Sequence, residues 1–388
     1  MPRRIILIIK NIILLLACYG YFFIRGSARR TDLSPKRIIV MAASKLGDMV
    51  CATPIFRAIK QTYPDCVVVL AGTKPYESLH RNNPDIDAYL VWEEGGSFWG
   101  MVKKIRGEYA DAAFFTAPSF LAATQFFLAG VPLIIGPKVE GGFCPYQTKP
   151  YKFMWPLIVT KLHNMQKYAP REYLRLLEAV GINAKDTVKH LYLSAEAKLF
   201  AERFYKKIAF NTDSDFVVGI VPGAGNEIKQ WNPKNFAEII IYFREKYKAK
   251  ILVLGSGKDK NIVDEVFMHL PNSSDIVNGY NQFSLEQLKA MVARMHLCVA
   301  VDTGIIYIAE AFGVPTIDIV GPVDENVQPP RGSLNRIVCV PHRTPQLRIM
   351  NARVYDFTEA KHQIDGITTE MVLKEVDIVI NEMKRVNK

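Results

Sequence analysis

At 388 residues the chain is too long for one ordinary hydrophobic core, so two domains are expected. Apolar residues make up 49% and charged residues 22%, which rules out a disordered chain, and the six cysteines (18, 51, 66, 144, 298 and 339) include no C-x-x-C pair, which argues against a disulfide scaffold, a zinc ribbon and a thioredoxin-type centre. The net charge of +11 is unevenly spread: residues 1–37 hold eight basic side chains (Arg3, Arg4, Lys10, Arg25, Arg29, Arg30, Lys36 and Arg37) against the single acid Asp32, whereas the other 351 residues carry 41 basic against 37 acidic. A body so nearly neutral is not built to bind nucleic acid, and a basic collar beside an apolar run is a membrane signature.

That run is Ile5 to Ile24, interrupted by Lys10 and Asn11. As a helix rising about 1.5 Å per residue it reaches roughly 30 Å, enough to cross a hydrocarbon core. Tyr19, Tyr21, Phe22 and Phe23 crowd its C-terminal end, as in an interfacial aromatic belt, and the basic residues that follow place the C-terminal body on the cytoplasmic side of the inner membrane. No A-x-A cleavage site follows, which favours a retained anchor. Spanning and lying flat, with Lys10 and Asn11 facing headgroups, both remain open.

Beyond the basic linker Gly26 to Lys36, short apolar runs alternate with amphipathic segments. Arg37 to Ala42, Val67 to Leu70, Tyr89 to Trp92, Ala112 to Thr116 and Leu133 to Ile135 read as buried strands, and Thr53-Pro54 opens the first helix after a strand. Pro137 to Trp155 reads as a long surface loop, Glu172 to Val180 as a helix, and the stretch on to Asp213 as a link. A second series has strands at Phe216 to Val221, Ile251 to Leu254, Leu297 to Val301 and Thr316 to Val320, with a helix opened by Asn232-Pro233 and carrying Phe236, Ile239, Ile240 and Phe243 on one face. The expectation is an α/β chain of two Rossmann-like parallel-sheet domains, 36–212 and 213–388, behind an anchor and linker at 1–35. Ligands would sit beyond the carboxyl ends of the strands, in the cleft between the halves.

Four loops hold residues suited to chemistry. Asp48, in Ala43-Ser44-Lys45-Leu46-Gly47-Asp48, is either a general base for a hydroxyl nucleophile or a cap for the following helix. In Pro222 to Trp231, Gly223 and Gly225 let backbone N–H groups approach an anion and Lys229 adds a positive charge, although no G-K-[ST] follows and, read in isolation, the loop is more simply a glycine-rich turn with a solvated lysine. Gly255-Ser256-Gly257 lacks the third glycine of a dinucleotide fingerprint, Lys260 standing there. Asp259 is either a ribose contact or part of a helix's first turn. After Val301, residues Asp302, Thr303 and Gly304 turn the chain into a small-residue helix, so the amides of Thr303, Gly304 and Ile305 can hold a diphosphate at a helix N-terminus, with Asp302 and Thr303 as caps in the plainer reading. The seven histidines lack metal-ligand spacing, and neither H-E-x-x-H nor G-x-S-x-G occurs.

Taken in order, KLGDMVCATPIFRAIKQTYP (45–64), PGAGNEIKQW (222–231), ILVLGSGKD (251–259) and FSLEQLKAMVARMHLCVAVDTGIIYIAEAFGVPTIDIVGPVD (283–324) resemble the lipopolysaccharide heptosyltransferases of glycosyltransferase family 9, which have the GT-B fold. The resemblance implies an inverting transfer from a nucleoside-diphosphate sugar to a lipid-linked glycan such as lipopolysaccharide core, with no metal or other cofactor required. It makes Asp48 the catalytic base, Lys229 a donor-phosphate ligand, Asp259 a ribose contact, and Asp302 to Ile305 the diphosphate cradle. One departure concerns the donor: the family's D-[ST]-G-x-x-H has Tyr307 at its last position, and a phenol supplies a hydrogen bond but no imidazolium charge. ADP-heptose is therefore one candidate among diphosphate-activated sugars. The lysines and aromatics of Pro137 to Trp155 line the acceptor side or pack back on the domain. Two other readings stay open, a nucleotide-sugar epimerase and a non-catalytic member that binds glycan or scaffolds an envelope-assembly complex.

Overall fold

The computed structural model describes residues 2–25, 34–42, 45–93, 95–351 and 354–386. Residues 26–33 of the basic linker, and Ala43 and Ser44 of the first loop, lie outside the described residues.

Two compact units emerge, each built on a six-stranded, wholly parallel sheet. Unit 1 comprises Met1–Ser44, Ala52–Glu77 and Asn83–Val188, and unit 2 comprises Lys45–Cys51, Ser78–Asn82 and Lys189–Lys388. Unit 2 thus takes in two short pieces of the first half, Lys45–Cys51 with the helix Leu46–Cys51 and Ser78–Asn82, and all of the stretch from Lys189 to the boundary drawn at 212 and 213 from sequence.

In unit 1 the strands are β1 (Arg37–Met41), β2 (Val67–Gly72), β3 (Ala88–Val91), β4 (Ala112–Phe115), β5 (Leu133–Glu140) and β6 (Val159–Asn164), in the order β3-β2-β1-β4-β5-β6. β1, β2 and β4 are buried on both faces and, like the first residues of β5, read as unbroken apolar runs, which is why they were legible in the sequence. The segment Pro137 to Trp155 corrects the surface-loop expectation. β5 continues to Glu140 and pairs with β6 from Ile135↔Val159 to Glu140↔Asn164, and the Thr148 hydroxyl then caps a short helix, Lys149–Phe153, by accepting from the Tyr151 N–H. Tyr151 is fully buried and its hydroxyl donates to the Pro137 carbonyl at 2.8 Å. Gly136 makes room for it: a Cβ there would lie 2.2 Å from the Phe115 ring and 2.7 Å from the Tyr151 hydroxyl. The expected helix at Glu172 to Val180 is two short pieces, Ala169–Leu174 and a 3-10 turn Arg175–Val180.

In unit 2 the strands are β7 (Val217–Val221), β8 (Lys250–Val253), β9 (Val277–Asn278), β10 (Leu297–Val301), β11 (Thr316–Ile319) and β12 (Asn335–Val338), in the order β12-β11-β10-β7-β8-β9. Chain order reverses between β7 and β10, which pair from Leu297↔Val218 to Ala300↔Val221. The loops after these two strands therefore leave the sheet side by side, at the switch point where open α/β sheets bind ligands. Asn232 caps the helix Pro233–Tyr247 through the Lys234 N–H, and Phe236, Ala237, Ile239, Ile240 and Phe243 form its buried face. The stretch expected to be a link holds a further helix, Ala195–Lys207, capped by Ser194 and tied by the Tyr205 hydroxyl to the Met291 carbonyl at 2.8 Å.

Trp231 closes this core. Its indole stacks edge-on against Phe236 with centroids 5.2 Å apart, and its N–H donates to the Ile367 carbonyl at 2.8 Å. Trp231→Ala removes a buried aromatic and orphans that carbonyl, so it should cost about 3–5 kcal/mol, to be read from equilibrium urea unfolding.

Candidate functional site

The site grows from the switch point of the second sheet. β10 ends at Val301, Asp302 and Thr303 turn the chain, and the helix Gly304–Ala311 begins. Thr303 occupies the N-cap position in an extended conformation but its side chain makes no cap hydrogen bond, so the hydroxyl does not occupy the first amides of the helix. Those amides carry the positive end of the helix dipole beside the loop that follows β7.

From that loop Lys229 reaches across, its ammonium donating to the Asp302 carboxylate at 2.8 Å and to the Asp302 carbonyl at 2.5 Å. An ammonium has three donors and Asp302 takes two, which leaves one for an incoming oxygen. The other carboxylate oxygen of Asp302 accepts from the Tyr307 hydroxyl. Tyr307 is buried, and burial, reinforced by the charge of Asp302, pushes its phenol well above the ordinary range and keeps it a donor. Beneath the ring lies a second pair, Lys189 to Glu310 at 2.7 Å, with the Lys189 ammonium 6.0 Å from the Tyr307 centroid.

Asp48 comes from the helix Leu46–Cys51, which packs on the start of Gly304–Ala311. Two glycines permit the contact. A Cβ on Gly304 would lie 2.6 Å from the Leu46 side chain, and one on Gly47 would lie 2.8 Å from the Tyr307 ring. Asp48 sits in the first turn of this helix, not ahead of it, and its half-buried carboxylate accepts from the Gln328 amide at 2.9 Å. Burial raises its carboxyl above the ordinary range; Gln328, Lys45 and Lys229 oppose the shift and Asp302 adds to it.

Asp259 and Gly223 meet beside this cluster. The Asp259 carboxylate accepts from the Ser256 N–H and hydroxyl, both at 2.7 Å, and makes no cap hydrogen bond to the helix Lys260–Met268 that follows. A Cβ on Gly223 would lie 2.2 Å from the Asp259 carboxyl, so glycine is needed there for close approach, not for a left-handed turn.

Asp48, Gly223, Lys229, Asp259, Asp302, Thr303, Gly304, Ile305 and Tyr307 thus all fall within unit 2. Sequence reading missed Gln328, whose partner lies 280 positions away, and the Lys189–Glu310 pair beneath Tyr307. It also missed Asp318, in the middle of β11. This carboxyl is fully buried, neither oxygen has a hydrogen-bond partner among the described residues, and burial aided by Asp302 holds it well above the ordinary range, with Lys229 opposing. Its signal was present, since an acid inside the run Thr316 to Val320 breaks an otherwise buried strand.

Two doubly wound parallel sheets, the second with an anion-ready switch point, make up a GT-B fold. The profile of glycosyltransferase family 9 (heptosyltransferase) matches residues 99–354, and the chain belongs to that family. It is 24% identical over 359 residues to lipooligosaccharide heptosyltransferase 2 of Haemophilus ducreyi, covering 88% of this chain and 98% of that one. Among solved structures it is similar to a family 9 glycosyl transferase from Veillonella parvula (TM-score 0.74, 19% identity, 89% of this chain and 98% of that one). It is also similar to the ADP-heptose lipopolysaccharide heptosyltransferase II of Escherichia coli (TM-score 0.70, 17% identity, 90% and 99%).

The glycine contacts carry a prediction. Gly304→Ala forces a Cβ into Leu46 and should destabilise the protein by about 1–3 kcal/mol, measured by urea unfolding, because neither helix can shift without repacking.

Proposed function

We propose that the protein is an inverting heptosyltransferase that moves a sugar from a nucleoside diphosphate, ADP-heptose or a close relative, to a lipid-linked glycan such as lipopolysaccharide core at the cytoplasmic face of the inner membrane. The observation that carries this reading is the placement of a half-buried carboxylate and an uncapped helix N-terminus on two helices in direct contact, with the Lys229 ammonium on Asp302 at the same turn. The family supports the class of reaction, and its relatives' names support the sugar and the acceptor.

In this mechanism the diphosphate rests on the amides of Thr303, Gly304 and Ile305, with the third donor of Lys229 on a phosphate oxygen. Lys229 is already half neutralised by Asp302, so the fixed amides carry much of the developing charge on the leaving group. Gly223 allows the Asp259 carboxylate to approach, and its second oxygen accepts from a ribose hydroxyl. Asp48 takes the proton of the acceptor hydroxyl as that oxygen attacks the anomeric carbon and the bond to the diphosphate breaks, which inverts the configuration. Its raised carboxyl makes it a stronger base than an exposed aspartate, and the Gln328 amide orients it. Tyr307 acts through Asp302 as a positioning residue, fixing the carboxylate that holds Lys229.

Asp48→Asn keeps the Gln328 contact geometry but removes the base, and should lower kcat by about 10²- to 10⁴-fold while leaving affinity for the nucleoside diphosphate within a factor of about three. An Asp48→Asn enzyme with undiminished turnover would sink the assignment. The acid limb of kcat/KM follows from the same group. Activity requires the ionised carboxylate and is lost as pH falls through its raised value, so the limb should lie above the ordinary aspartate range of about 3.9. Lys229→Ala should weaken nucleoside-diphosphate binding about 10- to 100-fold by calorimetry, the worth of one charge-assisted hydrogen bond. Unchanged affinity would remove Lys229 from the cradle.

A further inference from the structure

The N-terminal helix, Pro2–Arg25, is not a free rod. Its residues Leu14 and Cys18 are buried, the Tyr21 ring packs edge-on against Phe127 with centroids 6.0 Å apart, and the Tyr19 hydroxyl donates to the Phe153 carbonyl at 2.8 Å. The second half of the helix is therefore docked on unit 1, against the helices Phe120–Ala129 and Lys149–Phe153.

At about 100° per residue most of the remaining positions sort into two faces, with Leu7 and Ile8, 56% and 55% exposed, falling outside the apolar one. Positions 3, 4, 10 and 11, which are Arg, Arg, Lys and Asn, lie on the arc that continues into Leu14, Cys18 and Tyr21. The opposite arc, roughly 100° wide, carries Ile5, Ile9, Ile12, Ile13, Leu16 and Phe23, which are 51% to 81% exposed. This apolar stripe runs about 27 Å along the helix, end to end, on the side away from the body. Exposed Lys149 and Lys152 belong to the short helix beneath it, and exposed Phe153 lies next to Tyr19.

We infer that this helix lies in the plane of one leaflet of an anionic phospholipid bilayer, its stripe in the acyl boundary and its back on the body, and does not span the membrane. A spanning helix would pull the docked helices, with Lys149 and Lys152, into hydrocarbon, where a charge is costly and every unpaired backbone group needs a partner. In the plane the same lysines, together with Lys10, meet acidic headgroups, and the stripe is buried along its full length. This arrangement stands on the helix alone, and its failure would leave the chemistry assigned to Asp48 untouched.

The test uses the full chain in membranes of expressing bacteria, with cysteine placed at one end of the helix, Pro2→Cys, or on the body, Lys198→Cys, and the wild type as blank. A membrane-impermeant maleimide should label both positions from the same face of sealed vesicles. Labelling of position 2 only from the face opposite Lys198→Cys would mean a spanning helix and overturn the inference. A companion variant, Ile9→Asn with Ile12→Asn and Leu16→Asn, alters only exposed side chains and should lower the membrane-bound fraction at least tenfold with an unchanged circular dichroism spectrum. A soluble wild-type dimer that the triple variant dissociates would instead show that a second copy covers the stripe. Should the triple variant misfold, the labelling pair decides alone.

Discussion

Two helices from distant parts of the chain touch at Gly47 and Gly304, and the geometry of the site depends on that contact. Leu46 occupies the space a side chain at 304 would fill, and Tyr307 occupies the space a side chain at 47 would fill. Such reciprocal packing has no slack, because protein interiors are dense enough that a single methyl group is felt. It places the Asp48 helix on the first turn of Gly304–Ala311 within one compact unit, although residues 52–303 separate them in the chain.

The electrostatics of the site follow from the same closeness. Asp302 serves Lys229 with one oxygen and Tyr307 with the other, so one carboxylate fixes both a cation at the mouth and a phenol in the interior. Beneath it, the Lys189–Glu310 pair and Asp318, which has no hydrogen-bond partner among the described residues, add three more ionisable groups to an apolar setting. Charges held this way cost desolvation energy that a hydrophobic isostere would avoid, so their value lies in orientation more than in stability. The phenol at 307 fits this arrangement as a neutral donor. Burial keeps its proton in place, where an imidazole would bring a titratable group into the same space.

The N-terminal helix shows the limit of reading length and composition alone. Ile5 to Ile24 is long and apolar enough to cross a membrane, yet Leu14, Cys18 and Tyr21 are spent on the body. Which of its faces is free is a tertiary fact. The sequence holds the complementary half of the information, because Arg3, Arg4, Lys10 and Asn11 already lie on one arc.

Local pattern by itself determined that this is an α/β chain with two parallel sheets, because strands buried on both faces must be apolar throughout and helices between them must be amphipathic. It also determined the turn residues, such as Asn232-Pro233 at a helix start and Asp302-Thr303-Gly304 at a strand end. Short or polar elements were illegible: β9 has two residues, β12 reads Asn-Arg-Ile-Val, and β6 reads Val-Thr-Lys-Leu-His-Asn, none of which carries a buried-strand signature. Only the tertiary structure decided that Gln328 holds Asp48, that Tyr151 turns inward from an apparent loop, and that the helix after β1 packs with the second unit. Such pairings are set by shape and by the need of buried polar groups for partners, and those partners lie too far along the chain for any local pattern to name them.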